Sequence, residues 1–436
     1  MYRHDKRFRT RFNAVKAVSI REVMHGNVLV LTVSRVLWSM SESVVRAYLS
    51  LYILALGGSA TIIGLINSIG SLSASLLYPI GGYIADKAGR AKLVGVATIL
   101  YITSFLVLAS APSWEWVAFG VVYQQMVLFY MPALNAIMAD SIPRGARGRI
   151  YSFTVAIPEA VRIMTPYIGG YLISVYTLQP AMRIGYTLGF AIGLVVAFIR
   201  IRYLKETISS RQGIGRNIPR IFKEGYSNVF SSIKWIFGNI RGYAVVAMCL
   251  AFMSNLIVPF WVVYARQVIG LSAYEWGVVL LLGGMVKTVM SFVIGNLVDR
   301  LGVRRCFSIG FALGVAPMIL YTQATSFAQV VLIYLVILMA NSFIWISSPV
   351  FLANSVPRPM RGRILASMGQ GMTIGVAEGG YSSGFLSLIP MSIGSFVGGF
   401  VYSFNPVFPW LMQAGYLAVA FILSLKIIQE PEKPEE

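Results

Sequence analysis

Gly82-Tyr83-Ile84-Ala85-Asp86-Lys87-Ala88-Gly89-Arg90-Ala91-Lys92 recurs in altered form as Gly295-Asn296-Leu297-Val298-Asp299-Arg300-Leu301-Gly302-Val303-Arg304-Arg305, 213 residues further on. Both stretches read Gly-x-x-x-Asp-[Lys/Arg]-x-Gly between long apolar runs. A second pair follows: Ala139 to Ile150, containing Asp140, aligns with Ala353 to Ile364, containing Asn354, at a separation of 214 and with eight of twelve positions identical. Two matches at nearly one offset identify the halves of the chain as parallel repeats.

Composition sets the solvent. With 57% hydrophobic and 12% charged residues in 436, the chain has too little polar surface to cover a water-soluble particle of this size. A bilayer takes about 20 apolar residues per helix, and backbone exposed to lipid must be helix or closed barrel. The apolar runs lack the period-two alternation of barrel strands, so they read as helices. Their approximate spans are 27–55, 60–84, 92–112, 114–139, 149–177 and 181–203, then 242–267, 273–297, 304–323, 327–353, 363–404 and 407–428. The expected fold is therefore all-α, twelve transmembrane helices in two six-helix bundles. A basic arm (1–26) precedes the first bundle (27–203), a linker (204–241) joins it to the second (242–428), and a short tail (429–436) follows.

The formal charge of +20 suits nucleic-acid binding in a soluble protein, but here the charges are placed by topology. With the N-terminus inside, thirty of the thirty-six Lys and Arg residues fall in inner segments, which predicts cytoplasmic termini in a cytoplasmic membrane. Trp114, Trp116, Trp276 and Trp410 then sit near outer helix ends, as an interfacial belt requires. The basic segment Met1 to Met24 suits a retained arm better than a signal peptide, because the following span carries Arg35, Glu42 and Arg46 and no small-residue cleavage site. Organellar targeting is the alternative. In the linker, Ile218, Ile221, Phe222, Val229, Phe230, Ile233 and Phe237 recur at helical spacing among basic residues, predicting an amphipathic helix on lipid. Cys249 and Cys306 offer neither metal spacing nor a disulfide framework, and no cofactor is implied.

These repeated loops resemble the signature between helices two and three of the major facilitator superfamily of secondary transporters. The resemblance spans both halves and implies two bundles around a cavity that opens alternately to either side. In similar proteins the loop residues Gly82, Asp86, Lys87, Gly89, Arg90 and Lys92, with Asp140, form a latch on the inner side. Gly295, Asp299, Arg300, Gly302 and Arg304 form its second copy, weakened where Asn354 replaces Asp140. Read from the residues alone, Gly82 and Gly89 permit close approach and a tight turn, and Arg90 has Asp140 as its candidate partner. A topological role for the basic residues alone is the competing reading. Pro166-Tyr167-Ile168-Gly169-Gly170 in the fifth span resembles the end of the motif of drug and proton antiporters, but the preceding glycines and the branch's arginine in the fourth span are missing.

A charge at mid-bilayer costs about 2.5–3.5 kcal/mol on insertion scales, so ionisable residues inside spans are functional candidates. They are Arg35, Glu42 and Arg46 in the first span, Glu159 and Arg162 in the fifth, Lys287 in the eighth and Glu378 in the eleventh. Arg35, Ser39, Glu42 and Arg46 fall on one helical face, expected to look into the cavity. Glu159 and Arg162 are spaced to pair, and a purely orienting ion pair is their bland alternative. Tyr123, Gln124, Asn255, Asn341 and Trp345 are weaker cavity candidates, since most such residues make interhelical hydrogen bonds.

The halves differ in the eleventh span. Arg149 to Gly169 is 20 residues, whereas Arg363 to Gly398 is 35, an excess of 15 that includes Glu378 and Pro390. This predicts a broken helix shaping the solute site or a gate, with Pro390 as a break or kink. No phosphate-binding loop for ATP occurs, and the two histidines at 4 and 25 have no nucleophile at useful spacing, so an enzyme is not expected. The expected function is solute transport by a monomer, coupled to protons through Glu42 with Glu159 or Glu378, export of amphipathic compounds or metabolites being favoured. An uncoupled facilitator of a sugar or organic anion and a non-transporting receptor or scaffold remain the alternatives.

Overall fold

The computed structural model describes residues 24–142, 147–208, 218–357, 360–369, 371–377, 384–426 and 428. Within them the long regular elements are all helices. Helix α1 (Gly26–Arg46) is resumed after a bend as Leu49–Ala55, and α2 is Ala60–Ala88, α3 Arg90–Ala109. Helix α4 runs from Trp114–Val127 through a tight turn to Met131–Ser141, and α5 (Arg147–Tyr176) and α6 (Leu178–Tyr203) complete the first bundle. The linker helix α7 is Ile218–Asn239. Helix α8 starts at Arg241–Ile257, tightens at Val258–Phe260, resumes over Trp261–Tyr264 and ends in a widened π turn, Ala265–Ile269. Then come α9 (Ala273–Leu301), α10 (Val303–Tyr321), α11 (Phe327–Ser355), α12 (Arg361–Met368), α13 (Phe385–Phe404) and α14 (Phe408–Lys426).

Eleven of these helical stretches are long and apolar enough to cross a membrane. The twelfth crossing, α5, is 30 residues long but carries Glu159, Arg162, Pro158 and Pro166. It packs between α1 and α9, which shields those polar groups from lipid.

The duplication in sequence is a duplication in packing. In the first bundle α1 packs on α5 and α6, α3 on α4 and α6, and α2 on α4. In the second, α8 packs on α13 and α14, α10 on α11 and α14, and α9 on α11. The bundles meet along two seams, α2 with α13 and α5 with α9, which exchange under the repeat. Small residues let the backbones touch there: a methyl group built on Gly64 would fall 2.5 Å from the Ser395 carbonyl.

The hydrogen bonds crossing the seams cluster at the end remote from the basic loops. Thr61 and Ser403 hydroxyls are 2.9 Å apart, Ser68 and Ser392 hydroxyls 3.0 Å, and Tyr167 and Tyr274 hydroxyls 3.2 Å. The buried Tyr48 hydroxyl lies 2.7 Å from the Pro166 carbonyl and 3.0 Å from that of Ala273, so one proton is shared between the bundles. This end is the closed one.

The eleventh crossing is interrupted, but not at Pro390, which lies inside α13. The proline's missing N–H falls within a helix held by neighbours on both sides. The interruption is earlier. The main chain leaves the helix at Gly369 and is back beside it at Gly384, where an added methyl group would fall 2.2 Å from the Gly369 nitrogen. Residues 369–383 number 15, equal to the excess over the first half, so α12 and α13 together correspond to α5.

Candidate functional site

Beneath the closed end a cleft opens between the bundles, lined by Ser43, Arg46 and Ala47 of α1, Arg162, Ile163 and Pro166 of α5, Leu280 of α9 and Ala377. Its charged groups come from two ion pairs set at helical spacing. Arg46 Nη1 donates to Glu42 Oε1 at 2.9 Å, and Arg162 Nη2 and Nε donate to Glu159 Oε2 at 2.6 and 3.1 Å. The first pair is asymmetric: the Glu42 side chain is 10% exposed and that of Arg46 43%. Glu42 turns inward because its other oxygen accepts from Trp38 Nε1 at 3.0 Å, and Trp38 packs on Tyr101 inside the first bundle. The predicted cavity stripe therefore reaches the cleft only at Arg46. Arg35 instead donates to Asn135 on α4 at 3.3 Å, and Ser43, not Ser39, lines the opening.

Behind Trp38 is a residue the sequence reading left among topological charges. Arg200, at 3% exposure, places its guanidinium 5.4 Å from the Trp38 ring centre and donates to Thr98 at 2.9 Å and Ser34 at 3.4 Å. A buried cation with hydroxyl and π partners holds α6, α1 and α3 together and steadies the Trp38–Glu42 contact. Only its place at the end of an apolar span hinted at this.

The remaining described candidates make other contacts. Lys287 lies 5.9 Å from the Trp345 ring centre. Tyr123 bonds Thr103 at 3.1 Å and Gln124 bonds Ser104 at 3.2 Å, both on α3, while the Asn255 amide returns to Ala251 of its own helix. Glu378 lies outside the described residues. Asn341, 2% exposed, does not face the cleft: its Oδ1 accepts from the Ile374 N–H at 3.0 Å and from Thr373 Oγ1 at 2.9 Å. It is one of several anchors on the inserted segment. Met372 N–H donates to Ser348, Ala377 N–H to Tyr334, and the carbonyls of Thr373, Ile374 and Gly375 accept from Ser254, Gln413 and Trp261. Non-helical backbone at membrane depth is tolerated because side chains of α8, α11 and α14 satisfy it.

At the basic end, Gly89 (φ +104°) and Gly302 (φ +83°) make the turns into α3 and α10, a conformation that favours glycine. Close approach belongs to Gly81, not Gly82. A methyl on Gly81 would meet the Phe129 carbonyl at 1.7 Å, whereas one on Gly82 would reach only Pro132 at 3.9 Å. Arg90 Nη1 donates to Asp140 at 2.5 Å, as the sequence suggested. Glu206, missed in the sequence, caps α3 by accepting from the Arg90 and Ala91 N–H groups at 3.1 and 3.2 Å. Lys87 is half-buried and Lys92 exposed, while the Asp86 side chain lies outside those described. In the second copy Asp299, Arg300 and Arg304 are exposed, and a methyl on Gly295 would meet nothing within 4 Å. Arg361 there donates to the Ala353 carbonyl at 2.5 Å, beside Asn354.

Known proteins share this arrangement. A multi-drug resistance efflux pump, PmrA of Streptococcus pneumoniae, is 22% identical over 271 residues, 60% of this chain and 63% of the pump, so just under two thirds of that relative's length is matched. An Na(+), Li(+), K(+)/H(+) antiporter of Planococcus maritimus is 21% identical over 351 residues, 73% of this chain and 79% of the antiporter. Among solved structures, a bacterial homolog of the human lysosomal transporter Spinster, in an inward-facing and unoccupied conformation, superposes with a TM-score of 0.68 at 15% identity, covering 94% of this chain and 98% of that one. The family model of the Major Facilitator Superfamily matches residues 31–380 and 243–436. With twelve crossings in two repeated bundles and a cleft between them, this multi-pass membrane chain belongs to the major facilitator superfamily.

Proposed function

We propose that the chain is a proton-coupled secondary transporter that exports a small amphipathic solute from the cytoplasm, with both termini on the cytoplasmic side. The observation carrying this reading is the Glu42–Arg46 pair at the cleft, one bundle's ionisable couple placed directly under the seam that closes the far end. Protonation of Glu42 removes the charge that holds Arg46, so the local field under Tyr48 and Pro166 changes with each proton loaded. Glu159 and Arg162 supply a second such couple on α5. Rocking of the bundles about the α2–α13 and α5–α9 seams then exposes the loaded cleft to either side. The efflux pump and cation/proton antiporter among its relatives support export in exchange for protons.

The test is efflux of a panel of amphipathic dyes and acids from proteoliposomes with and without an imposed pH gradient. Gradient-driven transport that Glu42→Gln makes insensitive to pH is the expected result. Transport indifferent to the gradient, or a pH response intact in Glu42→Gln, overturns the coupling and leaves a facilitator.

A further inference from the structure

The inserted segment changes what the cleft can hold. Six polar main-chain groups of its described residues are taken up within the second bundle: the Met372, Ile374 and Ala377 N–H groups and the Thr373, Ile374 and Gly375 carbonyls all bond to side chains of that bundle's own helices. Ile374 and Val376 are buried, and the described residue of the segment that reaches the cleft is Ala377. The second bundle thus meets a solute with apolar surface, Ala377 and Leu280, where the first bundle meets it with Arg46, Arg162 and Ser43.

The charge lining the cleft is one-sided as well. Both arginines line it, and neither of their carboxylates does. The Glu42 carboxylate, in a side chain only 10% exposed, accepts from both Trp38 and Arg46, while the Arg46 side chain is 43% exposed. Guanidinium groups offer flat arrays of donors matched to carboxylate, sulfonate or phosphate oxygens. Ile163, Pro166 and Leu280 supply apolar contact for the rest of the solute.

We propose that Arg46 and Arg162 form a subsite for the anionic group of an amphipathic solute, facing the pinned residues 371–377, which act as an uncharged wall fixing how large that solute can be. This deepens the transport reading and rests on the cleft being the solute site. The wall belongs to the second bundle and moves with it, so each rocking step shifts an apolar face against a cationic one.

The experiment reads the cleft without knowing the solute. In the full chain with Cys249 and Cys306 replaced by Ser, a single cysteine is placed by Ala377→Cys or, as a second reporter on the opposite wall, Ser43→Cys. Both are reacted in nanodiscs with methanethiosulfonates bearing a sulfonate or a trimethylammonium group. The sulfonate reagent is expected to react about fivefold faster relative to its rate with free cysteine, because both charged side chains lining the opening are guanidinium groups. Arg46→Gln and Arg162→Gln should each reduce that preference, and Asn341→Leu, which unpins the wall, should admit a bulkier sulfonate reagent that the parent excludes. Equal rates for the two charges at both reporters, or a preference that survives both arginine substitutions, overturns the anion subsite whether or not transport is observed. Unchanged size exclusion in Asn341→Leu overturns the wall. A sulfonate preference in a protein that transports none of the acids tested would instead count against the transport reading alone.

Discussion

Helix α5 and the α12–α13 pair hold corresponding places in the two bundles, yet they have been put to opposite uses. Offset by 214 residues, or by 229 beyond the insert, Gly169 and Gly170 fall on Gly398 and Gly399, while Glu159 and Arg162 fall on Leu388 and Met391. On the neighbouring helices Glu42 corresponds at an offset of 213 to Asn255, and Tyr48 to Trp261. The first half keeps its ionisable couples at the cleft. The second has exchanged them for an amide, apolar residues and a stretch of folded-in main chain held by α8, α11 and α14. Charge and shape have been divided between the repeats.

The sharpest break of that division is Asn341→Leu. It leaves the Ile374 N–H buried without its acceptor and takes the partner from Thr373 Oγ1, at about 1–3 kcal/mol for each orphaned group. Thermal unfolding in detergent should fall by several degrees, with transport lost. Because Val127 and Leu128 occupy the corresponding places in the first half, replacing either with Ala should produce no matching loss of the second bundle's insert. A melting temperature unchanged in Asn341→Leu would mean that the segment is not pinned.

A smaller effect separates the two aromatic hydrogen bonds. Tyr48→Phe removes the proton shared by Pro166 and Ala273 across the seam, whereas Trp261→Phe removes a bond to Gly375 within one bundle. Each loss is worth about 1 kcal/mol. In Tyr48→Phe it should appear as a shift of the population toward an open far end, read from the distance distribution between spin labels at 176 and 268. Trp261→Phe should lower stability and leave that distribution unchanged. The same distribution for both variants would erase the distinction.

Much of this was legible in the residues. The repeated loops and the hydropathy fixed the number and order of the crossings, because lipid imposes the same requirement on every one of them. The length excess after Arg363 announced an interruption in the eleventh crossing. Its place was not legible, since Pro390 is the obvious breaker and lies in intact helix, while the true exit at Gly369 depends on acceptors such as Asn341 and Ser348 arriving from another helix. Asn341 and Trp345 read as cavity residues for the same reason: a polar side chain on an apolar helix has no sequence mark that distinguishes a solute contact from a main-chain anchor. Glu206 gave no sign, and Arg200 only its place at the end of an apolar span, because each acts through partners more than a hundred positions away.

The smallest expected effect tests the comparison at the basic loops. Asp140 accepts from Arg90 at 2.5 Å with roughly half of its side chain exposed, so the pair is worth at most about 1 kcal/mol in a hydrated setting. Asp140→Asn makes the first loop resemble the second, and Asn354→Asp makes the second resemble the first. If the inner loops act unequally because only one has its acid, Asp140→Asn should slow transport a few-fold while Asn354→Asp leaves stability and rate near the parent's. The double variant, which moves the acid from one half to the other, then decides whether the acid or its surroundings matter. Glu206 caps α3 in the first half, so the transplanted acid lacks that support and the rate should stay low. Recovery to the parent rate would show that either half can carry the acid, and that the asymmetry at this end of the molecule is one of composition alone.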